Sequence, residues 1–205
     1  MKNYTKELVL DKIKTFANCN PEKVIQVGSH AILTETFIEE LKIPKTNYWL
    51  EFGVFSGDTI NKLSKLCDKI YGFDSFDGLP EDWADNMLKG TFKVDELPKV
   101  SDNVELVVGL FEESIPKFLK EHNVNKINFI NIDCDLYSST KTIFKYIGKY
   151  IEAGTYIHFD EFFTHSADKD ECDAFVEFIN EVDLDFDIIY TGTICECFGI
   201  VILIN

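Results

Sequence analysis

The chain has 205 residues, 45% of them hydrophobic and 14% aromatic, including 18 phenylalanines. That is enough apolar surface for one compact domain spanning residues 1–205, and it excludes a disordered chain. Twenty basic residues against 36 acidic ones leave a net charge of −16, which repels phosphate backbones and anionic bilayers and argues against nucleic-acid and membrane partners.

Six cysteines occur without a Cys-x-x-Cys or a paired Cys/His spacing, which argues against a zinc site or a disulfide framework. The first residues carry no signal-peptide pattern and no apolar run approaches the roughly 20 residues that cross a bilayer, so the expected location is cytoplasmic. Val9, Ile13 and Phe16 predict a helix over residues 1–20, ended by Asn20-Pro21, and Leu33, Phe37 and Leu41 predict another over residues 31–41. Residues 1–47 thus read as an N-terminal helical cap that either covers an edge of the sheet or makes a homo-oligomer contact. His30 and Glu35 within it are candidates for a substrate pocket and equally for ordinary surface or core positions.

An apolar run over residues 48–52 then enters a turn carrying Gly53 and Gly57. Ile60, Leu63 and Leu66 continue as a helix, and a second strand ends at Asp74. Glycines at such a turn admit a ligand close to the backbone, and an acid about 20 residues later can accept hydrogen bonds from ribose hydroxyls. Dinucleotide sites want Gly-x-Gly-x-x-Gly with a pyrophosphate on the helix N-terminus. Here Glu51 and Asp58 flank the turn, so a cation suits it better. S-adenosylmethionine (SAM) carries a sulfonium and an ammonium, and a ribose for Asp74.

Residues 75–100 are rich in charge and turn formers. Trp83, Phe92 and acids such as Glu81 make them either a lid over a substrate or a solvated acidic loop. Further strands follow over residues 104–108, 127–132, 155–159, 186–190 and 198–204, with helices over 114–122, after a Ser138 or Ser139 cap, and from about Asp168. The connection between the last two strands is too short for a parallel crossover, which predicts an antiparallel hairpin. The fold class is therefore α/β: a doubly wound, mostly parallel seven-stranded sheet with a C-terminal antiparallel strand. Ligands of such sheets bind beyond the carboxyl ends of the strands, where Glu51, Asp74, Gly109, Asp133 and Asp160 all fall.

Asp133, Asp135, Asp160 and Glu161 end two strands expected to be neighbours. Converging carboxylates call for a hard cation such as Mg2+, although Asp at these positions also caps helices. The segments Leu50-Glu51-Phe52-Gly53-Val54, Phe73-Asp74-Ser75-Phe76-Asp77-Gly78-Leu79-Pro80, Gly109-Leu110-Phe111, the run from Ile132 to Thr140, and Phe159-Asp160-Glu161-Phe162 resemble the macrocin O-methyltransferase-like family of class I SAM-dependent methyltransferases. The resemblance implies metal-dependent methylation of a hydroxyl on a sugar or glycosylated metabolite. It implies that Glu51, Gly53 and Asp74 hold SAM, with Gly109 and Phe111 near its adenine; Phe55, Ser56, Gly57 and Ser75 complete the expected cofactor contacts. It further implies that Asp133, Asp160 and Glu161 hold the divalent cation and that Asp133 takes the substrate proton. The chain departs from the family in Glu161, where Asp is usual, and in Cys134, where Gly is common. His165 is a second candidate base, whereas His158, inside a strand, reads as a core histidine. Two rival readings are a nucleotide-sugar glycosyltransferase using Asp133-x-Asp135 and a SAM-binding protein without chemistry.

Overall fold

The computed structural model describes residues 3–25, 38–83, 87–164, 168–192 and 197–205. Its one sheet has eight strands: β1 (Val24–Ile25), β2 (Tyr48–Phe52), β3 (Ile70–Asp74), β4 (Val104–Val108), β5 (Ile127–Ile132), β6 (Tyr156–Thr164), β7 (Phe186–Gly192) and β8 (Cys197–Ile204), in the order β1-β7-β8-β6-β5-β2-β3-β4. All seven expected strands are present. The count of seven is corrected by β1, a two-residue strand parallel to the end of β7 and too short to leave a periodicity. Strands β4, β3, β2, β5 and β6 run parallel. β8 lies antiparallel between β6 and β7, as the short connection requires.

Among the described residues six α-helices flank the sheet: α1 (Lys6–Cys19), the single turn α2 (Ile38–Glu40), α3 (Asp58–Leu63), α4 (Phe111–Glu121), α5 (Tyr137–Ile147) and α6 (Glu171–Val182). Successive side chains of a strand point to opposite faces, so β2 feeds two cores. Leu50 and Phe52 pack with Val9, Phe118, Phe144 and Phe175, while Trp49 packs with Ile38, Ile60 and Leu63. Each such fully buried side chain contributes about 1.5–3 kcal/mol. All six residues of β5 are buried, as its position between two parallel neighbours demands.

The structure resolves one role of the N-terminal cap. Helix α1 packs on α6 and β7, with Tyr4 N donating to Asn180 Oδ1 (2.8 Å), Asn180 Nδ2 to Tyr4 O (2.9 Å), and Lys6 Nζ to Asp170 and Asp173 (2.7 and 2.8 Å). Most of the expected helix over residues 31–41, together with His30, Glu35 and His165, lies outside the described residues. Three boundaries are corrected. Neither Ser138 nor Ser139 caps α5, which starts at Tyr137 behind Leu136. Helix α6 starts at Glu171, after a capping box of Asp170 and Asp173. Strand β6 runs on past residue 159 because β8 continues to pair with it at Phe163 and Thr164, which puts Asp160 and Glu161 inside a strand rather than beyond its end.

Candidate active site

The site is built where the parallel strands stop. Gly53 N donates to Phe73 O (2.9 Å), Asp133 N to Phe52 O (2.9 Å) and Gly109 N to Asp74 O (3.0 Å), so the pairing runs one residue past the strands and lines up Asp133, Gly53, Asp74 and Gly109. Gly53 has φ +89°, and a Cβ there would fall 1.7 Å from the carbonyl oxygen of Asp133. Only glycine lets the ends of β2 and β5 lie this close. A cavity of about 880 Å3 opens above the row.

At one end of the cavity the Asp74 carboxylate organises the turn after β2. Its Oδ2 accepts from Val54 N (2.8 Å) and Phe55 N (2.9 Å), and its Oδ1 from Phe76 N (2.7 Å). These bonds help hold Phe55 and Phe76 at φ +45° and +59°, a region that bulky residues rarely adopt and that concentrates at functional sites. Of the expected cofactor residues, Gly53, Phe55, Ser56, Asp74, Ser75, Gly109 and Phe111 line the cavity. Glu51 and Gly57 do not. Gly57 is the left-handed N-cap of α3. Glu51 is fully buried behind the strand row, where Asn131 Nδ2 donates to its Oε2 (3.1 Å) and Asn131 Oδ1 meets His158 Nδ1 (2.5 Å). Burial drives the Glu51 carboxyl well above the usual carboxylate range. His158 is thus a core histidine, as expected.

The other end is acidic. Asp133, Asp135, Asp160 and Glu161 all line it, and a register shift of β6 between Phe159 and Phe163 lets two consecutive residues face one cavity. Burial first, and then the charges of Asp160, Asp135, Glu51 and Glu161, push the Asp133 carboxyl well above its ordinary value. Behind this end, Glu171 is fully buried, with Oε1 accepting from Thr140 Oγ1 (3.4 Å) and Cys134 Sγ (3.7 Å). Its carboxyl is also raised well above the usual range, by burial before the neighbouring acids.

A family model described as a methyltransferase domain (Methyltransf_24) matches residues 50–162, more than half of the chain and the whole row from Gly53 to Asp160. The chain belongs to this family. The Asp133-x-Asp135 segment lies inside the matched span, which removes the basis for the glycosyltransferase reading. No curated protein matches the methyltransferase in sequence. Among solved structures it is similar to CalS11, calicheamicin methyltransferase, at 19% identity over 98% of this chain and 86% of that one, with a TM-score of 0.64. The O-methyltransferase NovP is 18% identical over 97% and 99% of the two chains, with a TM-score of 0.56. An O-methyltransferase from Bacillus cereus, in complex with SAH, is 16% identical over 99% and 92%, also at 0.56. At such identities the likeness shows a shared fold.

The residues of the methyltransferase fit its cofactor. The turn at 53–56, the Asp74 carboxylate and the apolar Leu110 and Phe111 surround a space within the usual range for a small-molecule site. For a divalent cation the donors are of the right kind, hard oxygens only. However, among the described residues no three His, Cys, Asp or Glu side chains are gathered to hold one. Asp133, Asp160 and Glu161 nevertheless line one cavity wall.

The roof comes from the stretch that the sequence reads as either a lid or a solvated acidic loop. The chain over residues 75–83 and 87–100 is tied into a flap by Leu79 N to Thr91 O (2.8 Å), Gly90 N to Leu79 O (2.9 Å) and Val94 N to Phe76 O (3.2 Å), and the ring of Phe92 meets Phe55 edge-on at 5.4 Å. Ser138 Oγ donates to Glu81 Oε1 (2.5 Å), joining the flap to the first turn of α5. Leu79, Glu81, Trp83 and Phe92 of this flap line the cavity. Ser138 was singled out only as a cap, because a cap and a pocket hydroxyl look alike in sequence.

Proposed function

We propose that the methyltransferase moves the methyl group of SAM to a hydroxyl of a small molecule, a sugar or a glycosylated metabolite. The observation that carries this reading is one shared cavity with the Asp74 turn at one end and the half-buried Asp133 carboxyl at the other. Bound at the Asp74 end, SAM would supply an electrophilic methyl on its sulfonium. The protein's own part is to aim a nucleophile and manage its proton. Asp74 orients the turn 53–56 and offers its carboxylate to the ribose. Phe55 and Phe92 give the cavity an apolar rim.

Asp133 is the proposed proton acceptor. A base is most effective when its pKa lies near the working pH, and burial moves this carboxyl in that direction. Positioning two reactants in one closed site is worth roughly 7–11 kcal/mol. Asp133, Asp160 and Glu161 are the proposed holders of a divalent cation, which would lower the pKa of a bound hydroxyl and offset the repulsion among these acids. The acidic cavity and the net charge of −16 favour a small acceptor over nucleic acid.

The test is methyl transfer from labelled SAM to a panel of sugars and glycosides, with Mg2+ and with EDTA. Transfer to a hydroxyl that requires the cation supports the reading in full. Transfer undiminished by EDTA removes the cation from it, and methylation of nitrogen or carbon alone removes the hydroxyl.

A further inference from the structure

We propose that the acceptor carries protonated amines, as an amino sugar or aminocyclitol does, and is not linked to a nucleoside diphosphate or other phosphate; this rests on the reading of the cavity as a hydroxyl-methylating site. The first observation is chemical. All twenty basic residues of the chain are lysines, and it has no arginine, the residue whose planar fork grips phosphate in two parallel hydrogen bonds.

Lysine does not replace it in the cavity. Among the described residues the wall holds acids at both ends and no lysine. The four internal segments outside the described residues, 26–37, 84–86, 165–167 and 193–196, contain no lysine either. Lys169 lines a smaller neighbouring pocket of about 260 Å3 and is held by Glu177 (3.0 Å) and Tyr137 (3.3 Å). Among the described residues a diphosphate would enter a wall of its own charge with no lysine to pair it. A protonated amine meets carboxylates that favour its charged form. Beside Asp133, Asp160 and Glu161, Glu81 and Asp135 also line the cavity.

The second observation is a polar group waiting for a partner. Thr164, 3% exposed, lines the acid end, and among the described residues its Oγ1 has no hydrogen-bond partner. Nor has the buried Nε1 of Trp83 in the flap. Buried polar atoms left unpaired are costly, and an acceptor with both hydroxyls and amines supplies the missing partners.

The experiment is calorimetric titration of the full chain, with and without SAH. The probes are neamine, a two-ring amino sugar with several amines; neamine acetylated on every amine, which keeps the hydroxyls and loses the charge; and UDP-glucose with Mg2+. Neamine should bind at least tenfold tighter than its acetylated form, with the advantage shrinking as salt is raised to about 0.3 M. UDP-glucose should give no heat. Asp135→Asn and Glu81→Gln should each cut the advantage at least threefold. Glu181→Gln, exposed on the far end of α6, should leave it unchanged, which separates the cavity from general attraction to an acidic surface. Equal binding of the two neamines, Mg2+-dependent binding of UDP-glucose tighter than neamine, or an equal effect of Glu181→Gln would overturn the proposal. SAH binding is read in the same titrations. Discrimination without SAH binding would sink the methyl-transfer reading and leave this one, and SAH binding without discrimination would do the reverse.

Discussion

Gly53 and Asp133 meet where two strands end, and their contact sets the geometry of the site. Gly53→Ala would force a Cβ into the Asp133 carbonyl at a φ that side chains avoid. Backbone strain of about 1–2 kcal/mol and overpacking of about 1–3 kcal/mol add to a loss of about 3 kcal/mol, or roughly 6–12 °C in melting temperature for a chain this size. A variant melting within 2 °C of the parent would show that the turn relaxes freely. Asp133→Asn keeps the volume and removes the proton acceptor, so turnover should fall at least about a hundredfold while SAH affinity, by calorimetry, holds. Asp74→Ala has a double effect. It should weaken SAH binding at least about tenfold, equivalent to about 1.4 kcal/mol, and it also strips three backbone N–H groups of their acceptor, at about 1–3 kcal/mol for a group left unsatisfied. Normal SAH affinity in Asp74→Ala would place the ribose elsewhere.

Among the elements, the flap over residues 75–83 and 87–100 is held by a few backbone hydrogen bonds. Gly78 has φ +82°, and a Cβ there would stand 2.4 Å from Thr91 O and 2.5 Å from Gly90 O, inside the hydrogen bonds that tie the flap together. Gly78→Ala should therefore loosen the flap locally while the sheet, which it does not touch, keeps its stability. Limited proteolysis would show faster cleavage within residues 79–92 at nearly unchanged melting temperature. A variant as resistant as the parent would mean that the flap is held from elsewhere, for example by the Ser138 to Glu81 bond.

For the whole molecule, the balance of raised and lowered carboxyls predicts how stability follows pH. Glu51, Asp133 and Glu171 are raised above the usual range by burial, so the folded chain binds protons that the unfolded one has released. Their contribution is fully present below about pH 4, the unfolded range, and is lost as pH rises toward their folded values. Glu177 has the opposite sign. Its hydrogen bond from Lys141, with Lys169 and Tyr137 behind it, holds it near 2, stabilising above the unfolded range and lost as pH falls. Being partly exposed, it is worth no more than about 1 kcal/mol. Melting temperature should thus decline from pH 5 to pH 8, and Glu171→Gln should flatten the decline, because it keeps the shape and removes an ionisation. A parent chain more stable at pH 8 than at pH 5 would refute this assignment of charge.

What the amino-acid order determined by itself was whatever depends on local periodicity and turn chemistry. The bounds of β2, β4 and β5, the hairpin of β7 and β8, and the strand-end row of Gly53, Asp74, Gly109 and Asp133 were legible because an apolar run ending in glycine or aspartate is a local signal. Tertiary structure decided the rest. Glu51 reads as a cofactor ligand from its place beside the glycine turn, but a strand's alternation carries it behind the row, onto Asn131. Asp160 and Glu161 read as a strand end, yet β8, nearly forty residues away in the chain, extends β6 past them, and only the resulting register shift turns both toward the cavity. Thr164 and Ser138 enter the site through a bulge and a flap, long-range contacts that leave no periodic mark on the residues that make them.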